Sequence, residues 1–252
     1  MATRDPLEPG GKSRSPRVVR SGARSVDELP RFDGFPKGGD AFFQTLAKKQ
    51  DREWFQAHKG EYEALWQLPM TSLLHDLRAA LDGAYPMVSE STPKVFRVYR
   101  DTRFSKDKTP YKTNCAGSLS LSGGSAMTGT GLYVQLGLEA DFIAIGRWMF
   151  EKDDLENFRA AVASDAGAVL AKKLTAAEKR GFTLVAHETL KRVPAPYEAE
   201  HPRAALLKLK GLALRLPPPA EGLTSSRKFL TWIAKEAKAI AGIVEWLDDA
   251  VG

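Results

Sequence analysis

The hydrophobic pattern of this chain changes period four times, and those changes limit the folds open to it. Over residues 41–81 apolar side chains recur at helical spacing, from Phe42, Phe43 and Leu46 through Trp54, Phe55, Tyr62, Leu65 and Trp66 to Leu73, Leu74, Leu77 and Leu81. This predicts two or three amphipathic helices, with Asp40 capping the first, Asp51 opening the second, Pro69 in the first turn of the third and Asp82-Gly83 closing it. The pattern then breaks into strand-like runs at 95–100, 115–121, 131–138 and 142–148, separated by polar or glycine-bearing connections. Short connections join antiparallel neighbours, because a parallel crossover needs about a dozen residues or more. Helical spacing returns over residues 154–170, and a further strand is expected near 182–186. After Pro217, Pro218 and Pro219 a last helix is expected over 225–248, with the stripe Phe229, Ile233, Ala237, Ile240, Val244 and Leu247. The expected fold is α+β, an antiparallel sheet of about five strands flanked by N-terminal and C-terminal helices.

With 252 residues the chain can bury a core without disulfides or metals. Residues 1–30 are rich in Arg, Ser, Gly and Pro and lack apolar periodicity, so they are expected to form a disordered basic tail ahead of a single domain over 31–252. No apolar run approaches the roughly 20 residues of a membrane-spanning helix. The one cysteine, Cys115, has no partner for an internal disulfide, and no apolar leader follows the first charges. A soluble, cytoplasmic protein with no membrane partner is expected.

Charge is where the sequence points to chemistry. The net charge is +6, yet Lys94, Arg97, Arg100, Arg103, Lys106, Lys108 and Lys112 face only Asp101 and Asp107 within residues 94–113. Residues 1–31 add seven cations against four acids. Strand alternation places Arg97 with Val95 and Tyr99, and Arg100 with Phe96 and Val98, so both faces mix cations with apolar groups. A cation among core-type neighbours must find acceptors, and two carboxylates are too few for seven cations. Either acids elsewhere complete the pairing or an external anion does.

The functional form of this reading is a phosphate-type site. Arg97, Arg100, Arg103, Lys106, Lys108 and Lys112 bind the anion, Ser105 and loop N–H groups add neutral donors, and Tyr99, Phe104 and Tyr111 offer stacking surfaces. Asp101 or Asp107 would orient the cations or act as base, and His201 is the best general acid or base among the four histidines. The expected partner is an anionic small molecule or phosphate-bearing ligand, acted on by an enzyme. Two alternatives stay open: a nucleic-acid-binding module, and a scaffold whose motif is an internal ion-pair network.

No cofactor is expected, and no metal, because the surrounding cations repel one and the histidines lack ligand spacing. The basic loop could lower the Cys115 thiol pKa, although simple packing is the default for a lone cysteine. Gly123-Gly124 and Gly129-Thr130-Gly131 precede a strand rather than a helix and read as a mobile hairpin loop. All five tryptophans read as core by default. Arg147, beside Trp148, could add a cation from a second strand.

The run Tyr99-Arg100-Asp101-Thr102-Arg103-Phe104-Ser105-Lys106-Asp107-Lys108-Thr109-Pro110-Tyr111-Lys112, preceded by Phe32-Asp33-Gly34-Phe35 and Arg52-Glu53-Trp54-Phe55, resembles a bacterial and fungal family catalogued as a domain of unknown function. The resemblance extends over residues 32–246 and includes Lys191-Arg192-Val193-Pro194, His201-Pro202 and Leu206-Leu207-Lys208. It singles out Arg97 and the central motif as the positions to carry over and implies no particular reaction. The chain departs from similar sequences at Pro194-Ala195-Pro196, where they tend to have a glycine, and over residues 144–148, where they are richer in glycine.

Overall fold

The structure, a computed structural model, describes residues 29–103, 105–123, 129–138 and 141–251. The tail expected over residues 1–30 lies outside them, apart from Leu29 and Pro30.

Helix α1 (Gly39–Lys49) starts at Gly38, which adopts a left-handed φ of 98°. Asp40 is therefore not its cap but sits in the first turn, where its charge still favours the helix N-terminus. Asp51 does open α2 (Arg52–Ala57), accepting the Trp54 N–H at 2.7 Å. Helix α3 (Lys59–Tyr62) runs on through a π-helical turn, Glu63–Gln67, into α4 (Leu68–Leu81). Pro69 thus lies within a continuous helical run. A helical proline crowds the carbonyl four residues back, and the wider π turn just before it relieves that crowding.

The single helix expected over 154–170 is two, α5 (Lys152–Ala163) and α6 (Asp165–Lys179). Ser164 divides them because its hydroxyl accepts the Ala166 N–H at 3.2 Å and so caps α6. A short α7 (Ala204–Leu207) falls in the polar stretch. The last helix is also two, α8 (Lys228–Ala239) and α9 (Ala241–Val251), turning at Ile240. Every residue of the expected stripe from Phe229 to Leu247 is buried.

The sheet has strands β1 (Lys94–Val95), β2 (Asn114–Ser120), β3 (Gly131–Gly137), β4 (Phe142–Arg147), β5 (Thr183–Val185) and β6 (Leu212–Arg215), in the order β1-β2-β3-β4-β6-β5. All neighbours are antiparallel. Strand β6 is the one the sequence pattern hid, since Leu212-Ala213-Leu214-Arg215 is too short to display a period. The run expected over 95–100 also needs correction. Phe96 N–H still bonds the Ala116 carbonyl at 2.8 Å, but residues 97–112 then leave the sheet as a hairpin. A bridge between Tyr99 and Tyr111 closes it, with Arg100 N–H on the Pro110 carbonyl and Lys112 N–H on the Val98 carbonyl, both at 2.8 Å.

Alternation gives the sheet two unlike faces. Cys115, Leu119, Leu132, Val134, Leu136, Ile143 and Ile145 are buried among the helices, each apolar side chain contributing about 1.5–3 kcal/mol. A Cβ at Gly117 would sit 2.6 Å from the Leu74 side chain, so α4 lies almost directly on β2. The opposite face carries Ala116, Ser118, Ser120, Tyr133, Gln135, Phe142, Ala144, Gly146, Ala213 and Arg215. No helix among the described residues is long and apolar enough to cross a membrane.

Candidate functional site

The hairpin ends on two side chains with opposite fates. Tyr111 turns into the helices: its ring is 2% exposed and stacks on Phe55 at 4.4 Å. Its backbone is clamped by Gln50, whose Oε1 accepts the Tyr111 N–H at 3.0 Å and whose Nε2 donates to the Tyr111 carbonyl at 3.3 Å. Tyr111 is therefore a packing residue rather than a surface for a ligand. Lys112, one residue on, belongs by alternation to the open face of the sheet. Tyr99 is 40% exposed, packs 5.3 Å from Tyr111, and accepts a hydrogen bond from Gln56 Nε2 at 3.3 Å.

Both motif carboxylates are engaged locally. Asp101 takes Arg103 Nη2 at 2.7 Å, Nε at 3.0 Å and the Arg103 N–H at 3.2 Å. These bonds, the side-chain ones first, hold its carboxyl well below the usual carboxylate range. Asp107 accepts the Thr109 N–H at 2.9 Å and hydroxyl at 2.8 Å, and pairs with Arg100 at 2.8 Å. The Thr109 bonds are the leading cause that its pKa is lowered too. Carboxylates held this way stay ionised and make weak bases. Their geometry suits orienting the arginines.

Lys108 donates to the Thr102 carbonyl at 2.8 Å. Among the described residues, Lys94, Arg97, Lys106 and Lys112 have no carboxylate within ion-pair distance. Ser105 is half-buried, and Phe104 lies outside the described residues.

On the open face, a concavity of about 500 Å³ is lined by Phe96, Lys112, Ser118, Tyr133, Gln135, Phe142 and Trp148 over a floor that includes Ala144, Gly146 and Ala213. Its rings follow one another, with centroids 6.1 Å apart for Phe96 and Tyr133, 6.0 Å for Tyr133 and Phe142, and 6.4 Å for Phe142 and Trp148. The Tyr133 hydroxyl donates to Gln135 Oε1 at 2.9 Å. Lys94 Nζ lies 5.6 Å above the Phe96 ring, and the Arg215 guanidinium 5.6 Å above that of Phe142. Among the described residues, no Asp or Glu lines it. A larger cavity on the helix side, about 890 Å³, is lined by Glu151, Glu245, Asp248 and Asp249 against the single cation Arg147 among the described residues, a net charge that repels anions.

Other expected residues lie elsewhere. His201 belongs to the connection between β5 and β6, and β5 forms the sheet edge opposite β1, from which the motif springs. Its Nδ1 accepts the Arg203 N–H at 3.0 Å, and Arg203 in turn donates to the carbonyls of Val162, Ala163 and Ser164 at the end of α5. The structure does not bring His201 to Asp101 or Asp107. The Cys115 thiol is buried against Tyr62 and the Trp66 carbonyl, and burial pushes its pKa up to about 12 despite the pull of Lys112. The thiol is thus packed, the default expected of a lone cysteine, and not activated by the basic loop.

Arg147 points to the helix side and pairs with Asp154 at 2.9 Å, so it adds no charge to the open face. Trp148 is 49% exposed, which corrects its assignment to the core. Ser122 and Thr130, flanking the glycine loop, donate to Asp248 at 2.5 and 2.7 Å, and residues 124–128 between them lie outside the described ones. Among the described residues, no three His, Cys, Asp or Glu side chains gather closely enough to hold a metal ion.

Sequence reasoning missed Gln50, Tyr133, Gln135 and Phe142. The signal for two of them was present in Leu132-Tyr133-Val134-Gln135-Leu136, where strict alternation sends Tyr133 and Gln135 away from the apolar side.

Residues 40–246 match the family described as conserved hypothetical protein (DUF2461). The chain belongs to that family. The DUF2461 region contains the whole hairpin, Gln50 and every ring of the open face, while the Phe32-Asp33-Gly34-Phe35 element precedes it. No curated protein and no solved structure matches the chain.

Proposed function

We propose that the protein binds an anionic, ring-bearing small molecule of phosphorylated or nucleotide-like type on the open face of its sheet. The observation that carries this reading is Lys112. Among the described residues it is the one cation of the Tyr99 to Lys112 run that lines the aromatic concavity, and none of them lines it with a carboxylate. Pockets of this volume, mostly apolar with a few polar groups, are the usual form of a small-molecule site. The rings supply a stacking surface, and Lys112 supplies a point charge for phosphate. Arg97 and Lys106, free of carboxylate partners among the described residues, add to the positive field of the motif.

A second reading has its own observation. The Arg100–Asp107 and Arg103–Asp101 pairs favour a structural role for those four residues, which shape the hairpin that presents Lys112. The motif then divides its labour, with pairs that build the loop and unpaired cations that attract the anion. A lone buried thiol fits a reducing, cytoplasmic location.

Thermal-shift titration with nucleoside mono-, di- and triphosphates, inorganic phosphate and uncharged nucleosides tests the reading. A ligand at 100 times its Kd adds about 2.7 kcal/mol to stability. Nucleotides should raise Tm, inorganic phosphate and nucleosides should do so far less, and Lys112→Ala should abolish the shift. Wild-type protein indifferent to every nucleotide would refute it.

A further inference from the structure

Resting on the reading above, we infer that the open face takes, beyond a single nucleotide, a short single-stranded nucleic acid, with two or three successive bases held across the strands of the sheet. The register of the sheet places Lys94, Ser118, Tyr133, Ala144 and Arg215 in one row across five strands. With strands about 4.8 Å apart, the two cations at the ends of that row stand roughly 19 Å apart along the sheet. A ligand with one base and one phosphate group can satisfy one end of such a row; a short strand satisfies both ends and the rings between.

Ring spacing supports the same occupant. Four rings from three strands and their extensions follow one another at 6.0 to 6.4 Å between centroids, tilted at 39° in the first pair and edge to face at 62° and 81° in the next two, and the small side chains Ala116, Ala144 and Ala213 leave the floor between them low. Every base has a π face, so a platform of this kind holds a strand with little regard to sequence. Sheet faces four strands wide stack two or three bases in this way. A duplex keeps its bases stacked inside and cannot reach these rings. Charge complementarity agrees, since Lys112 lines the platform with no carboxylate among the described lining residues, and Lys94 and Arg215 stand at the two ends of the row.

The test is fluorescence anisotropy with labelled oligonucleotides of one to eight thymidines or uridines, with a blunt duplex of equal length, at several salt concentrations. Affinity should climb from the mononucleotide to the trimer and then level off, with the duplex well behind. The slope of log Kobs against log salt should be about −2, for three phosphate contacts at roughly 0.7 each, and Lys112→Ala should reduce it by about 0.7. Tyr133→Leu and Phe142→Leu, which keep bulk but remove a ring, should each weaken trimer binding about tenfold or more at unchanged Tm.

A mononucleotide that binds as tightly as the trimer overturns the strand and leaves the small-molecule reading standing. If neither binds, both readings fall. Oligonucleotide binding that ignores both leucine variants also overturns the inference, because the strand then lies away from the rings.

Discussion

Gln50 occupies a position where glycine is the usual residue. It ends α1 with a φ of 42°, in the left-handed region, while its N–H bonds the Leu46 carbonyl. A side chain in that region costs about 1–2 kcal/mol relative to ordinary backbone. What offsets the cost is the clamp: Gln50 Oε1 and Nε2 close two hydrogen bonds on the Tyr111 backbone, across 61 residues of sequence, in a partly buried site.

Two substitutions separate strain from clamp. Gln50→Ala keeps the strain and loses both bonds. Two hydrogen bonds contribute about 1 kcal/mol each, and a buried donor left without a partner adds to the loss, so the expected cost is about 2–4 kcal/mol. Gln50→Gly loses the same bonds but relieves the left-handed backbone, so it should be less destabilising than alanine by about 1 kcal/mol. Equilibrium urea unfolding measures both differences. Amide exchange locates them: the Arg100, Tyr111 and Lys112 amides should lose protection in either variant while those of β3 keep theirs. An alanine variant within about 0.5 kcal/mol of wild type, or a glycine variant less stable than alanine, would refute the argument.

Two further expectations concern titration. Burial lifts the Cys115 thiol to about 12, so native protein at pH 8 should resist thiol reagents and label only on unfolding. Because its folded pKa is raised, the stability it contributes is complete below the ordinary thiol value of about 9 and drains away as pH rises toward 12. Wild type should thus lose Tm over that alkaline window more steeply than Cys115→Ala, and equal slopes would count against the buried thiol. The depressed carboxyls of Asp101 and Asp107 have the opposite sign: what they contribute is present above the ordinary carboxylate value of about 4 and is lost on acidification through their lower folded values. Both are exposed, so Asp101→Asn should change Tm at pH 7 very little, and a large loss there would overturn the view of an exposed pair.

The layout of the fold was legible because periodicity is a local property. Helical spacing in the first segment, the strand-like runs after it and the Phe229 stripe each reflect one buried face, and each reports that face over a handful of residues. The breaks were not legible, since Ser164 and Ile240 interrupt helices without disturbing the stripe, and only the capping geometry reveals them. The site divides along the same line. Its charges stand next to one another in the chain and attract notice, yet two of the arginines prove to be held by the two nearest acids. Its rings come from four places in the chain, and each reads as core when taken alone, because an aromatic residue in a strand is usually packed. Only the register shows Tyr133 opposite Ser118 and Ala144, and Phe142 opposite Gln135, cross-strand partners that are small or polar. A sheet with helices on one face must present its alternate residues on the other, so the parity of Lys112 relative to Ala116 and Ser118 is what connects the conspicuous motif to the inconspicuous groove.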